Sequence, residues 1–277
     1  MPSPTAIPIL GIPVHAVTMV EALAVVEGYM AEPRLHQIAT VNPEFVMAAQ
    51  SDAAFRHALR TADLCLPDGV GLLYAARRHG QTLPERVPGS EFVYALAERA
   101  AACGWPLFLL GAAPGVAEEA ARILEQRYPG LPIAGTYAGS PDPAENDAIV
   151  RLINDSGASL LYVAYGAPKQ DKWIERNRHT LTTVRVAMGV GGSLDFVTGR
   201  AVRAPRWAQD RGLEWLYRLY KEPWRWRRML ALPKFAMRVL LSRELELRAA
   251  RGSREQLLAI LAKAPDVEPE EYDRLDD

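Results

Sequence analysis

SLLYVAYGAPKQDKWIERNRHTLTTVRVAMGVG, residues 159–191, decides the architecture. It opens on an apolar run, SLLYVAYG (159–166), and closes on a second one, VRVAMGVG (184–191). Between them QDKWIERNRHTL (170–181) sets Trp173, Ile174 and Leu181 on one side of a helix. Continuous apolar runs that end in glycine read as strands buried on both faces. Two such strands joined through a helix lie parallel, since the crossover is far longer than a hairpin turn.

The same alternation extends toward the N-terminus. PILGI (8–12), HQIATV (36–41), ADLCL (62–66), PLFLLG (106–111) and LPIAGTY (131–137) are further candidate strands. TMVEALAVVEGYM, PEFVMAAQSDAAFRHALR, EFVYALAERAAA, GVAEEAARILEQRY and PAENDAIVRLIN carry apolar residues at spacings of three and four, as one-sided helices do. The pattern predicts an α/β fold: a mostly parallel sheet with helices on both faces, spanning about residues 8–199. Ligands of such sheets bind beyond the carboxyl ends of the strands.

With 277 residues, 49% of them hydrophobic, the chain can bury a sizeable core. Cys65 and Cys103 give neither a disulfide framework nor zinc-ligand spacing, which favours a reducing, cytoplasmic setting. The first 30 residues lack a basic segment followed by a long apolar run, so no signal peptide is expected. The net charge of −1 conceals an asymmetry: residues 200–243 hold twelve Lys/Arg against three Asp/Glu, a net of +9 that leaves −10 elsewhere. Trp207, Trp215, Trp224 and Trp226 fall among these cations. Three regions follow: a core (1–199), a basic, Trp-rich helical appendage (200–247), and an acidic tail (248–277) expected to be partly disordered.

Four strand ends carry polar residues: TVN (40–42), PDG (67–69), APKQD (167–171) and GSLDF (192–196). Each has a plain structural explanation. Asn42-Pro43 suits a helix start and Asp68-Gly69 a turn. Their convergence on the expected ligand edge is what favours function. GAAPGVAEE (111–119) also joins a strand to a helix, but it is not G-x-G-x-x-G, so nucleotide contact and tight packing both stay open.

Seven ordered stretches carry a family resemblance: TVNPEFV (40–46), LPDGVGLLYAAR (66–77), RVPGSEF (86–92), LFLLGAAPGV (107–116), YVAYGAPKQDKW (162–173), AMGVGGSLDFVTG (187–199) and RAPRWAQDRGLEWLYRL (203–219). Together, over about residues 8–240, the chain resembles the WecG/TagA/CpsF family of bacterial glycosyltransferases. The resemblance implies a Rossmann-like core with a C-terminal appendage that docks on the membrane and closes the site. It implies transfer of a sugar from a UDP-sugar, with inversion, to a polyprenyl-diphosphate-linked sugar at the cytoplasmic face of the membrane. The product feeds cell-surface polysaccharide or teichoic-acid-type synthesis. N-acetylmannosamine, its uronic acid and glucose all suit the donor.

By motif, Asp68 matches the catalytic base, Thr40 and Asn42 polar pocket residues, and Arg86 a phosphate contact. Gln170 and Asp195 match nucleotide-sugar contacts. Asp171 departs from the family's usual Glu: either it lies on the helix surface, where the change is tolerated, or it alters pocket depth.

Inverting transfer needs a base for the acceptor hydroxyl and charge stabilisation for the departing diphosphate. Asp68 suits the first role. No D-x-D follows an interior strand, so arginines are expected to hold the diphosphate, with no metal or other cofactor. Arg211, Arg218 and Arg225 recur every seven residues and would share one face of a helix starting near Pro205 if Pro223 does not break it first, with Leu213, Leu216, Tyr217 and Tyr220 on another. Such a face suits phosphate or an anionic membrane surface. Nucleic acid is not expected as a partner, because the core is acidic and carries no such motif. Homo-oligomerisation stays open. Two alternatives are a nucleotide-dependent oxidoreductase, disfavoured by the missing dinucleotide fingerprint, and a non-catalytic module that binds lipid-linked sugars.

Overall fold

The computed structural model describes residues 4–202, 204–205, 214–221 and 226–242. In chain order the core comprises β1 (Ala6–Ile9), β2 (Ile12–His15), α1 (Met19–Met30), β3 (His36–Val41), α2 (Pro43–Ser51) and α3 (Ala53–Thr61). It continues with β4 (Leu64–Pro67), α4 (Val70–Arg78), α5 (Gly89–Cys103), β5 (Leu107–Gly111), α6 (Val116–Arg127) and β6 (Ile133–Tyr137). The last elements are α7 (Pro143–Asp155), β7 (Leu160–Ala164), α8 (Lys169–Arg176), β8 (Val186–Gly189) and α9 (Ser193–Val197). Beyond the core, Glu214–Lys221, Trp226–Met229 and residues 231–242 are helical.

Six strands form one sheet in the order β4-β3-β8-β7-β5-β6, and every pairing is parallel. The fold is therefore α/β and Rossmann-like, as the alternation predicts. Alternate residues of each strand feed opposite cores, which follows from the two-residue period of a strand. Ile38, Leu64, Leu109, Tyr162 and Met188 pack with α1, α5, α6 and α9 on one face. On the other face Phe108, Leu161, Val163 and Ala187 meet α7 and α8, while Ala39, Val41 and Cys65 meet α2, α3, α4 and the β1–β2 pair. Both faces are covered, so the central strands carry no polar side: β7 and β8 are buried at every position. Each fully buried Leu or Ile here contributes roughly 1.5–3 kcal/mol. The one phenol in β7, Tyr162, is satisfied by donating to the Val93 carbonyl at 2.9 Å.

PILGI, expected as one strand of the sheet, instead bends in the middle. Leu10 and Gly11 have φ of 48° and 82° and connect β1 to β2 in an antiparallel hairpin with Ile9 opposite Ile12. Positive φ at both central positions gives a turn whose twist suits a hairpin. The hairpin stands apart from the sheet but shields its β4 edge, where the Cys65 N–H donates to His15 Nδ1 at 2.8 Å. Burial lowers the His15 pKa and keeps the ring neutral, as an accepting nitrogen requires.

PEFVMAAQSDAAFRHALR also divides, into α2 and α3. Asp52 takes an extended conformation between them; its N–H closes α2 on Ala48 and its carboxylate caps α3 through Phe55 N at 2.9 Å. An Asp with this capping ability can end one helix by starting the next. Both cysteines are free; Cys65 is buried as its apolar setting suggests, whereas Cys103 is exposed at the end of α5. Trp207, Trp224, Arg211, Arg225, Leu213 and the acidic tail from residue 248 lie outside the described residues, as does the side chain of Arg218. Within the Glu214–Lys221 helix, Leu216 and Tyr220 are exposed.

Candidate active site

Four strands that are adjacent in the sheet, β4, β3, β8 and β7, end on a single cavity of about 840 Å³. Thr40 and Asn42 come from the end of β3, Asp68 from β4, Gln170 from the loop and helix after β7, and Asp195 from α9 after β8. Arg86 reaches it from the loop before α5, which is tied along the end of β4 by Val87 N to the Pro67 carbonyl at 2.9 Å. All six residues expected to act together therefore line one space. GAAPGV does not line it. It follows β5, which lies outside that block of four strands, and Gly111 is pressed against Ala164 of β7, where a Cβ would come within 2.8 Å of its carbonyl carbon. Tight packing explains that glycine.

Asp68 is half-buried where β4 leaves the sheet. Its N–H donates to the Val41 and Leu66 carbonyls at 2.8 and 3.0 Å, and its Oδ2 accepts from Gly89 N at 3.2 Å. Gly89 begins α5 against Thr40; a Cβ there would lie 2.7 Å from Thr40 Cγ2. The carboxylate is thus oriented by a backbone donor at a helix N-terminus rather than by its own turn alone. Asn42 serves two purposes. Its Oδ1 caps α2 through Phe45 N at 2.9 Å, which leaves its NH₂ group as the part a ligand can use. Gln170 is 1% exposed and accepts from Gly191 N at 2.9 Å, and a Cβ on Gly189 would meet its Nε2 at 2.6 Å.

Two helix starts at the cavity share a chemical feature. α4 and α8 begin from Gly69 and Pro168, neither of which has a side-chain acceptor for the first N–H groups, whereas the first N–H of α5 is taken by Asp68 Oδ2. Capping does not follow position alone: α2, which also starts at the cavity, is capped by Asn42, and α6, away from it, has no side-chain cap. Uncapped N-termini carry partial positive charge and N–H donors toward an anion. With Arg86 they make this rim suited to phosphate. Among the described residues, no group of three or more His, Cys, Asp or Glu side chains is placed to hold a metal ion.

Asp171 is not on the helix surface. It is 0% exposed, both carboxylate oxygens lack a hydrogen-bond partner, and burial pushes its pKa up to about 7. Nor does it line the cavity. Its exchange for the family's Glu reaches the pocket only through neighbouring Gln170.

Several lining residues escape a reading of strand ends alone. Tyr74 sits on α4, which is a helix inside the LPDGVGLLYAAR motif, and its six-residue spacing from Asp68 is the available signal. Phe235 and Val239, from helix 231–242, pack into the hairpin core and also close the back of the cavity. No periodicity linked them to residues two hundred positions earlier.

A parallel α/β sheet whose strand ends converge on a carboxylate, an arginine and uncapped helix starts makes this cavity the candidate group-transfer site. The sequence model of the glycosyl transferase WecG/TagA/CpsF family matches residues 7–249, and the chain belongs to that family. Two curated relatives, from Bacillus subtilis strain 168 and Bacillus spizizenii, are 36% and 35% identical to it over 203 residues. Each alignment covers 73% of this chain and 78% of the relative, and each relative is an N-acetylglucosaminyldiphosphoundecaprenol N-acetyl-beta-D-mannosaminyltransferase.

Proposed function

We propose that this glycosyltransferase moves an N-acetylmannosamine-type hexose from a UDP-sugar to a polyprenyl-diphosphate-linked N-acetylglucosamine, in cell-surface polysaccharide or teichoic-acid-type synthesis. The observation that carries the proposal is the convergence of Asp68, Arg86 and the uncapped starts of α4 and α8 on one cavity. The acceptor class comes from the names of the relatives. Asp68 takes the proton from the acceptor hydroxyl as that oxygen bonds to the anomeric carbon, and the bond to UDP breaks on the opposite side. Arg86 and the helix N–H groups receive the charge that develops on the diphosphate. Thr40, Asn42, Gln170 and Asp195 orient the sugar nucleotide and acceptor.

UDP release from a panel of donors, assayed with an N-acetylglucosamine-diphosphate-lipid, tests the reaction. A sugar nucleotide is turned over only when that acceptor is present; no turnover of any donor rejects the proposal. Cationic side chains take the role of a divalent ion in this mechanism, so the rate is expected to be unchanged in EDTA. Inactivation by EDTA that magnesium or manganese reverses would remove the metal-independent route.

We further propose that the enzyme works peripherally at the inner face of the cell membrane, a reading supported by the basic composition of residues 200–243. No helix among the described residues is long and apolar enough to cross a membrane. Instead Leu230, Met237, Leu240 and Leu241 are exposed around residues 231–242, opposite the buried Phe235 and Val239. An apolar outer face flanked by cations suits a headgroup interface. The full chain should co-sediment with anionic vesicles and lose that association at high salt. Equal recovery in the supernatant with and without vesicles counts against membrane docking.

A further inference from the structure

A second concavity, of about 510 Å³, runs beside the cavity between α2 and helix 231–242. That volume is within the range of specific ligand sites, roughly 300–1,000 Å³. Met47, Ala48, Leu230 and Ala231 give it apolar walls, and Lys234 and Arg238 stand on its rim. The two spaces adjoin: Glu44, Phe45 and Ala167 line both. Helix 231–242 serves each with a different face, turning Phe235, Ala236 and Val239 toward the cavity and Ala231, Lys234 and Arg238 toward the groove. Two cations against the single carboxylate of Glu44 leave the groove's charged lining at +1.

We propose that this groove is a subsite for a prenyl diphosphate, holding the isoprene units nearest the phosphates against Met47, Ala48 and Leu230, with Lys234 and Arg238 on the diphosphate. The chain would approach from the exposed apolar side of helix 231–242, and whatever the diphosphate carries would project past Phe45 and Ala167 into the cavity. This rests on the lipid-linked acceptor proposed above and adds where its lipid is recognised. The combination selects one occupant. A free phosphate would have no use for the apolar walls, and a peptide would bring backbone polar groups that those walls leave unpaired.

Calorimetric titration of the full chain with farnesyl diphosphate, isopentenyl diphosphate and inorganic diphosphate, without vesicles or sugar nucleotide, tests the groove. Farnesyl diphosphate is expected to bind at least about tenfold more tightly than isopentenyl diphosphate, since each buried methylene adds ~0.8 kcal/mol. Ala48→Trp, which fills the groove, should weaken farnesyl diphosphate about tenfold or more while UDP binding is retained. Ser51→Trp fills the same groove from an exposed position and guards against a folding defect at Ala48. Affinity that does not rise with chain length, or that neither tryptophan reduces, overturns the subsite. Because no donor is present, absence of sugar transfer in the separate assay rejects only the transferase proposal and leaves this result readable.

Discussion

Asp68→Asn is expected to retain UDP binding and to lower kcat by about 10²–10⁴-fold, the usual effect of removing a general base. The substitution is close to isosteric. Asn Oδ1 can still accept from Gly89 N, the bond that orients the native carboxylate at 3.2 Å, so the end of β4 and the start of α5 should keep their places. What disappears is a group able to take up a proton. In the proposed mechanism the donor is held by Arg86, Gln170 and the starts of α4 and α8, so the loss should fall on kcat rather than on the UDP dissociation constant. Single-turnover measurement of transfer, beside a UDP titration, separates the two. Near-normal turnover removes Asp68 from the chemistry. Weakened UDP binding in proportion to the lost rate makes it a binding residue instead. A module that only senses lipid-linked sugars predicts no turnover even in the unmodified chain.

The strands that position this site are legible in the sequence because they are buried on both faces. PLFLLG and SLLYVAYG are nearly continuous apolar runs, HQIATV and VRVAMGVG are β-branched and apolar in most of their length, and each yields a parallel strand within one or two residues of its expected limits. PILGI misleads because Leu10-Gly11 lacks the Asn-Gly or Asp-Gly signal of a two-residue hairpin, so an apolar run hides a reversal. The five residues of α9 are too few to show helical periodicity, and α4 is masked by the glycines at its start. For the site, local chemistry exposes the polar strand ends but not the lateral order of the strands. That order, β4-β3-β8-β7 with β5 beyond, is what admits TVN, PDG, APKQ and GSLDF to the cavity and excludes GAAPG. The return of helix 231–242 to wall both cavity and groove is a tertiary contact with no local sequence signature.

Asp171→Asn should stabilise the fold above neutral pH and leave stability nearly unchanged near pH 4. In the folded chain the carboxyl is held protonated by burial, with its pKa raised from 3.8 to about 7. The sign follows from proton binding. Below pH 3.8 folded and unfolded chains are both protonated at this site, and it contributes nothing to pH dependence. Between 3.8 and about 7 the unfolded chain releases the proton while the folded chain keeps it, so stability falls as pH rises. Above that window both are ionised, and the full penalty of a buried, unpartnered carboxylate is present. Three units at about 1.4 kcal/mol each set an upper limit near 4 kcal/mol, which relaxation around the charge will reduce. For a chain of this size that is a rise of roughly 5–10 °C in Tm at pH 8. Thermal melts of both proteins at pH 4.5 and pH 8 check it: the difference should open between the two. A constant offset would show that Asp171 does not titrate in this window. Asp171 is retained despite this cost because of where it sits. α8 carries Asp171 next to Gln170, the Asp171 carbonyl accepts from Gln37 Nε2 of β3 at 3.1 Å, and Gln170 is fitted against Gly189 and Gly191 at the cavity. A residue one step from a cavity-lining side chain, in an interior where a single methylene is felt, is free to change only as far as Gln170 keeps its place. If that constraint is what retains Asp171, the stabilised Asn variant should lose part of its affinity for UDP while Asp68-dependent chemistry on the bound donor proceeds at its usual rate.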